Sequence, residues 1–340
     1  VSVLFFVFAP ASDSYIRDGR IKGEWAFARY IFVDARTPFG SLSSPMLEHS
    51  TTYDGTANIM NFYSFNAKYF APWICYLIVL LGACCGEDKW TYGDGVAQWP
   101  YLQLDEENQC GGKYQSPINI DNRYTLYNPN IGPLSYRGYL DPLLNVSVVN
   151  DGHTVRFTPE NTRNVLFSGP YFPDVYQFVQ FHFHWGSNSA IGSEHLIDGR
   201  SFPLEAHLVH RNTKYATQQE AAKYEDGFAV IAVLFQVASS DNPALSNVVA
   251  ALRQLHQQQS TRVQLTSVTP LRGLLPQDAY YFYGYDGSLT TPPCSEAVIW
   301  TVFAQPNKVS EGQLQAFRDL FVNNFRPVQP WNGRPVYRNF

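Results

Sequence analysis

Of eight histidines, His182 and His184 stand two apart inside the run Tyr176-Gln-Phe-Val-Gln-Phe-His-Phe-His-Trp185. That run is rich in aromatic and β-branched residues and reads as a strand, so both imidazoles leave the same face of a sheet, with Gln180 beside them. Phe181, Phe183 and Trp185 then point the other way, into an apolar layer. A second strand pattern, Glu205-Ala-His-Leu-Val-His210, places Glu205, His207 and Val209 on one face. If the two strands pair with these faces aligned, three imidazoles converge. Three neutral imidazole nitrogens with an open fourth position are the ligand set of a catalytic zinc ion. An amide and a carboxylate on the same faces suit the remaining ring N–H groups. A lone histidine on a strand is more often a hydrogen-bonded core residue. An H-x-H between aromatics, followed about twenty residues on by E-x-H, is a far stronger signal, although it does not name a reaction.

These side chains need a sheet to hold them. Further strands are expected over residues 143–149, 154–158 and 228–237, each bounded by Gly, Pro, Asn or Asp. Two helices stand out. Asn242-Pro243 opens one, with Leu245, Val248, Val249, Leu252 and Leu255 at helical spacing. Ser310 with Gln313 forms a capping-box pattern ahead of Leu314, Phe317, Leu320 and Phe321. Residues 87–340 contain no internal repeat, linker or second shift of composition, so they read as one mainly β domain with short flanking helices.

The N-terminal quarter reads differently. From Met60, a positive charge at Lys68, an apolar stretch over residues 71–82 and the small residues Gly82, Ala83, Cys84, Cys85 and Gly86 precede Glu87, Asp88 and Lys89. That is the pattern of a secretory signal peptide, expected over residues 60–86. Its apolar run of roughly 10 to 12 residues is too short for a membrane span of about 20. The competing reading is a buried core helix. Residues 1–59, upstream of Met60, are expected to lie outside the mature protein or to be disordered. Beyond the leader only Cys110 and Cys294 remain, which suggests one long-range disulfide in an exported domain, with two free buried thiols as the alternative. Asn145-Val-Ser147 is an acceptor triplet for N-glycosylation that fits export.

Composition excludes other classes. The chain of 340 residues is 45% hydrophobic, 16% aromatic and 16% charged, with net charge −5 and no basic run. That argues against a nucleic-acid partner. Gly and Pro (23 and 22 residues) sit near background, which excludes collagen-like and low-complexity chains.

The motifs together resemble the α-class carbonic anhydrases. Those that carry the resemblance are Gln180-Phe-His-Phe-His-Trp-Gly186, Ser193-Glu-His195, Glu205-Ala-His-Leu-Val-His210 and Gly287-Ser-Leu-Thr-Thr-Pro-Pro293. Trp90-Thr-Tyr-Gly93, Gln115-Ser-Pro-Ile-Asn-Ile120, Asn150-Asp-Gly-His153 and Phe325-Arg-Pro-Val-Gln-Pro330 add to them, in family order from about Lys89 to the C-terminus. The resemblance implies a single domain around a large, mostly antiparallel twisted central β-sheet. It implies zinc-dependent reversible hydration of carbon dioxide to bicarbonate and a proton, by attack of a zinc-bound hydroxide. His182, His184 and His207 match the zinc ligands, and Gln180, Glu205 and the carbonyl of Asn324 match the groups that orient them. Thr290 and Glu194 match the hydroxyl–carboxylate pair that aims the nucleophile, and His153 matches the proton shuttle. Val209, Val230, Leu289, Thr290, Thr291 and Trp300 match the substrate-binding wall. Tyr92 and Asp151 match positions that order the proton-carrying water, although at Asp151 and Arg156 the family often has amides. Exported members commonly pair cysteines at the positions of Cys110 and Cys294. His195 is expected in a structural hydrogen bond. Secretion without stable membrane insertion follows, with carbon dioxide and bicarbonate as the small-molecule partners. The competing function is a binding or matrix protein without turnover; a zinc esterase would use the same residues.

Overall fold

The computed structural model describes residues 90–255 and 261–340 and, upstream, the backbone of strands at residues 2–10, 15–17, 20–22 and 25–34. The leader expected over 60–86, with Cys75, Cys84 and Cys85, lies outside the described residues, as do His49 and His256. The chain divides into two units, residues 1–73 and 74–340. In the first, Ser2–Pro10 pairs antiparallel with Trp25–Asp34, and Tyr15–Arg17 with Arg20–Lys22.

The second unit is built on β1 (Leu143–Asn150), β2 (Val155–Pro159), β3 (Tyr176–Trp185), β4 (Leu204–Asn212), β5 (Phe228–Ala238), β6 (Thr261–Val268), β7 (Phe282–Gly287) and β8 (Val298–Phe303). Across the sheet the order is β6-β1-β2-β3-β4-β5-β8-β7, continued by the short strands Tyr337–Arg338 and Leu126–Tyr127. Neighbours run antiparallel along most of this path. Strand β8 runs parallel to β5, and Leu126–Tyr127 runs parallel to Tyr337–Arg338. The sheet is therefore mixed, with the antiparallel majority that the resemblance implies.

Alternation along the strands sorts side chains into two layers. Phe181, Phe183, Trp185, Leu204, Ala206, Leu208, Ala229, Ile231 and Val233 fall on one side. There they pack with helix α1 (Ser246–Gln254) and helix α2 (Glu311–Arg318). Val209, Val230, Ala232, Val298, Trp300 and Val302 form a second cluster. The helices begin where capping chemistry directs them. Asn242 Oδ1 accepts from Ala244 N across the turn that opens α1, and Ser310 and Gln313 close a reciprocal capping box on α2.

One irregularity was not legible beforehand. The β3–β4 register shifts between Phe178 and Gln180. Tyr176 and Phe178 lie in the same core layer as Phe181 and Phe183, although strict alternation would separate them. The extra residue is Val179; such a bulge re-aims every side chain beyond it. Further on, Asn324 Oδ1 accepts from Trp185 N (2.7 Å) and Trp185 Nε1 donates to Phe321 O (2.6 Å). These bonds tie the segment after α2 to the end of β3.

Cys110 and Cys294 are joined by a disulfide across 184 residues of chain, with Trp90, Tyr92 and Trp99 packed around it. A closure of that length contributes about 3–5 kcal/mol on a chain-entropy account. Among the described residues no helix is long and apolar enough to cross a membrane.

Candidate metal centre

The β3–β4 register sets His182 opposite His207 and His184 opposite Glu205. The imidazoles of His182, His184 and His207 thereby converge, each offering a nitrogen within 4.8 Å of the others. The opposite ring nitrogens decide which atoms are offered. His182 Nδ1 lies 2.9 Å from Gln180 Oε1, and His184 Nδ1 lies 2.7 Å from the carbonyl of Asn324. A neutral ring that donates from Nδ1 keeps its lone pair on Nε2. His207 is turned the other way: its Nε2 lies 2.7 Å from Glu205 Oε1, leaving Nδ1 free to ligate.

Electrostatics keep these rings neutral. Burial, reinforced by His184, holds His182 well below the usual histidine range. Burial brings His184 down to about 3 and also lowers His207. A neutral imidazole is the form that binds a cation.

Two carboxylates border the rings. Glu205 is buried, which alone would raise its pKa, yet His195 and His207 hold it well below the carboxylate range. Its Oε2 accepts from the backbone N–H groups of Glu194 and His195, both at 2.8 Å, and its Oε1 faces both imidazoles. Glu194 Oε1 accepts from Arg326 N at 2.8 Å, and its Oε2 lies 3.4 Å from His184 Nε2 and 3.9 Å from His207 Nδ1. Burial and the nearby Glu205 push Glu194 upward, while the Thr290 hydroxyl and Arg326 pull it down.

This arrangement fits a divalent cation. His184 Nε2 and Glu194 Oε2 are buried and have no hydrogen-bond partner. Three neutral donors beside the ionised Glu205 leave negative charge that a dication would match. The neighbouring trio of His195, Glu205 and His207 also brings ligand-type atoms together. Those atoms already bond one another at 2.6 and 2.7 Å, so they need no ion.

Val209, Val230 and Trp300 are buried in one cluster, with Leu289 packed against it. The Trp300 ring lies 4.9 Å from that of His207, and its Nε1 donates to Ser288 O at 3.2 Å. That bond ties Trp300 to the loop bearing Leu289, buried Thr290 and half-buried Thr291. His153 stacks on Trp90 at 3.6 Å with Tyr92 edge-on. Partial burial lowers its pKa and Asp151 opposes the shift. Asp151 Oδ1 accepts from the N–H groups of His153 and Thr154, and its Oδ2 pairs with Arg156 at 3.2 Å. Arg156 is the cross-strand neighbour of His182. The Tyr92 hydroxyl is buried without a hydrogen-bond partner. Asn145 is exposed, with its amide donating to Glu160 Oε2 at 2.8 Å.

The structure brings in groups to which the sequence motifs assign no role. Arg326 is buried and donates to Gln115 Oε1, Ser116 O and Cys110 O. The Tyr285 hydroxyl meets His195 Nε2 at 2.6 Å. His195 is thus in the hydrogen-bonded role expected of it. Nothing in local spacing reveals Arg326 or Tyr285, because each reaches its partner across at least ninety residues of chain.

The profile of the family described as eukaryotic-type carbonic anhydrase matches residues 94–340. Carbonic anhydrase 7 of Homo sapiens is 39% identical over 271 residues, covering 75% of this chain and 98% of that protein. Carbonic anhydrase 15 of Mus musculus is 36% identical, covering 76% and 86%. Carbonic anhydrase 6 of Bos taurus is 35% identical, covering 78% and 85%. With the histidine cluster, the mixed sheet and these likenesses in agreement, the chain belongs to the eukaryotic-type carbonic anhydrase family.

Proposed function

We propose that this protein catalyses the reversible, zinc-dependent hydration of carbon dioxide to bicarbonate and a proton. The observation that carries this is the convergence of His182 Nε2, His184 Nε2 and His207 Nδ1, each neutral and each oriented by its own acceptor. Zinc bound there would act as a Lewis acid that makes a water acidic, an effect for which carbonic anhydrase is itself the standard example.

The chain's own residues supply the rest. Gln180, Glu205 and the Asn324 carbonyl hold the ring N–H groups and so fix the rings. Thr290 gives its hydroxyl proton to Glu194 and turns its oxygen lone pairs toward the reacting oxygen. This orientation selects one approach direction to carbon. Val209, Val230, Leu289 and Trp300 form a dry wall that suits an apolar, linear substrate, with Thr291 at its polar edge. The proton released leaves toward His153, a half-buried imidazole that can pass it on to solvent. Tyr92 and Asp151 order the water between.

The protein acts outside the cytosol, with a leader over residues 60–86, residues 1–59 outside the mature chain, the enzyme over residues 87–340 and a glycan on Asn145. The Cys110–Cys294 disulfide supports export, because such bonds persist in oxidising compartments. Exposure of Asn145 supports the glycan.

Stopped-flow carbon dioxide hydration, with and without a chelator, tests the reaction. Hydration should be zinc-dependent, and His207→Ala should lose both metal and activity. A zinc-loaded chain without hydration would point instead to a binding protein, and retained activity in His207→Ala would overturn the ligand assignment.

A further inference from the structure

The turn bearing His153 and the strand beside the ligands bring one charge of each sign to the histidine face. Along β2, Val155 and Phe157 are fully buried in the aromatic core, so Arg156 between them projects from the opposite face. The register agrees: Phe157 pairs with core-facing Phe181, and Arg156 pairs with His182. Cross-strand neighbours share a face, with Cβ atoms about 5 Å apart. The charge of Arg156 reaches the ligand ring. Burial and the other two imidazoles lower the His182 pKa first, and Arg156 adds to them. Asp151 answers this cation, with Oδ2 at 3.2 Å from Arg156 Nη2. The two partners are held differently. Asp151 Oδ1 accepts from His153 N at 3.0 Å and Thr154 N at 2.9 Å, which fixes the carboxylate to its turn. The Arg156 side chain is 46% exposed against 27% for Asp151, so solvent reaches the guanidinium more freely. An ion pair open to water is weak, and its longer member can exchange partners.

We propose that Arg156 binds a monovalent oxyanion on the histidine face, bicarbonate first among such anions, and that Asp151 is the partner it leaves when the anion arrives. The reaction itself gives the reason to look for such a group. Carbon dioxide has no charge to be drawn in, whereas bicarbonate has one and presents two carboxylate-like oxygens. A guanidinium fork matches that edge with two parallel N–H bonds, which an ammonium group cannot supply. Asp151 competes for the same fork, and its bonds to the turn keep it from following the guanidinium away. The pair therefore sets how tightly the anion is held. A carboxylate at position 151 weakens the hold, and an amide there would strengthen it. The family that the motifs resemble often has amides at both positions, so the charge pair is a feature of this chain.

The choice of bicarbonate rests on the hydration reading above, so zinc-dependent hydration is measured on the same material. Bicarbonate is titrated into the zinc-loaded protein at constant pH and ionic strength. Nuclear magnetic resonance follows the Nε–H signal of Arg156 and the ring protons of His153. In the wild type the Arg156 signal should move and saturate. Asp151→Asn keeps an acceptor for both turn N–H groups and removes the charge, so the midpoint concentration should fall about threefold. Arg156→Gln should raise the midpoint read at His153 about threefold. Arg156→Lys, which keeps the charge without the fork, should lie between wild type and Arg156→Gln. With Arg156→Gln in place, adding Asp151→Asn should no longer tighten binding. An Arg156 signal that shows no saturable movement overturns the proposal, as does an Asp151→Asn midpoint at or above the wild-type value. If Asp151→Asn does not fold, an unchanged midpoint in Arg156→Gln overturns it equally. A protein that binds bicarbonate at Arg156 and yet shows no hydration overturns the hydration reading and leaves the anion site standing.

Discussion

Three histidines differ less in kind than in what each gives its second nitrogen. One ring donates to an amide, one to a backbone carbonyl and one to a carboxylate, and this sets which atom of each ring is left to ligate. The carboxylate partner is the strongest acceptor, so His207 is the most electron-rich of the three and the one most sensitive to its surroundings. The same logic governs His153, where burial favours the neutral form and Asp151 favours the charged one. Asp151→Asn removes the negative charge that raises the His153 pKa and leaves Arg156 without this ion-pair partner. The His153 pKa should therefore fall further, so the ring gives up its proton at lower pH than in the wild type. A proton NMR titration of the His153 ring checks this; an unchanged or raised midpoint would contradict it.

Strands β3 and β4 succeed as a platform because β4 is buried on both faces over most of its length and β3 is buried along its core face. The core-facing Phe181 stacks on Phe157 at 4.6 Å, and this anchoring stops the paired strand from sliding. A slip of one residue would turn the histidines into the core. The bulge at Val179 matters for the same reason: it lets Tyr176 and Phe178 share the core layer with Phe181 while Gln180 stays with the histidines. Helix α2 contributes at its end, since the segment leaving it carries Asn324. Ser310→Ala removes the N-cap acceptor of α2 and should lower stability by about 1 kcal/mol. Urea unfolding measures the loss, and activity at low temperature should persist. A loss of zinc affinity in Ser310→Ala would mean that the cap reaches the metal centre as well.

At the scale of the whole unit, the sheet separates an aromatic core from the face that carries the metal-site histidines, and histidines on the two sides serve different ends. His210 follows His207 by three residues yet points into the core, among Phe167, Phe178 and Tyr139. Its Nδ1 donates to Ala229 O at 3.1 Å, its Nε2 accepts from Tyr139 at 2.5 Å, and burial brings its pKa to about 3. In the unfolded chain the ring titrates near the ordinary value of about 6.5. Between these values the unfolded state binds the extra proton. The contribution of neutral His210 is therefore complete above about pH 6.5 and is lost as pH falls toward 3. Unfolding midpoints measured at about pH 7 and pH 5 should fall, and the fall should be smaller in His210→Gln. An equal fall in both proteins would assign the acid sensitivity to other groups.

Much was readable from letters alone. Period-two alternation at 180–185 and 205–209 needs only the geometry of an extended chain, and it puts Gln180, His182 and His184 on one face of their strand and Glu205 and His207 on one face of theirs. The capping box at Ser310 and the Pro-led start of α1 are local for the same reason. Tertiary structure decided what depends on distant approach: the bulge at Val179, the Cys110–Cys294 bond, the turn of His207 toward Nδ1, and the contact between Tyr285 and His195. A strand pattern records which face a residue takes. It holds no record of the residue ninety positions away whose single hydroxyl completes the bond, because that meeting is made by packing and not by the chain's own periodicity.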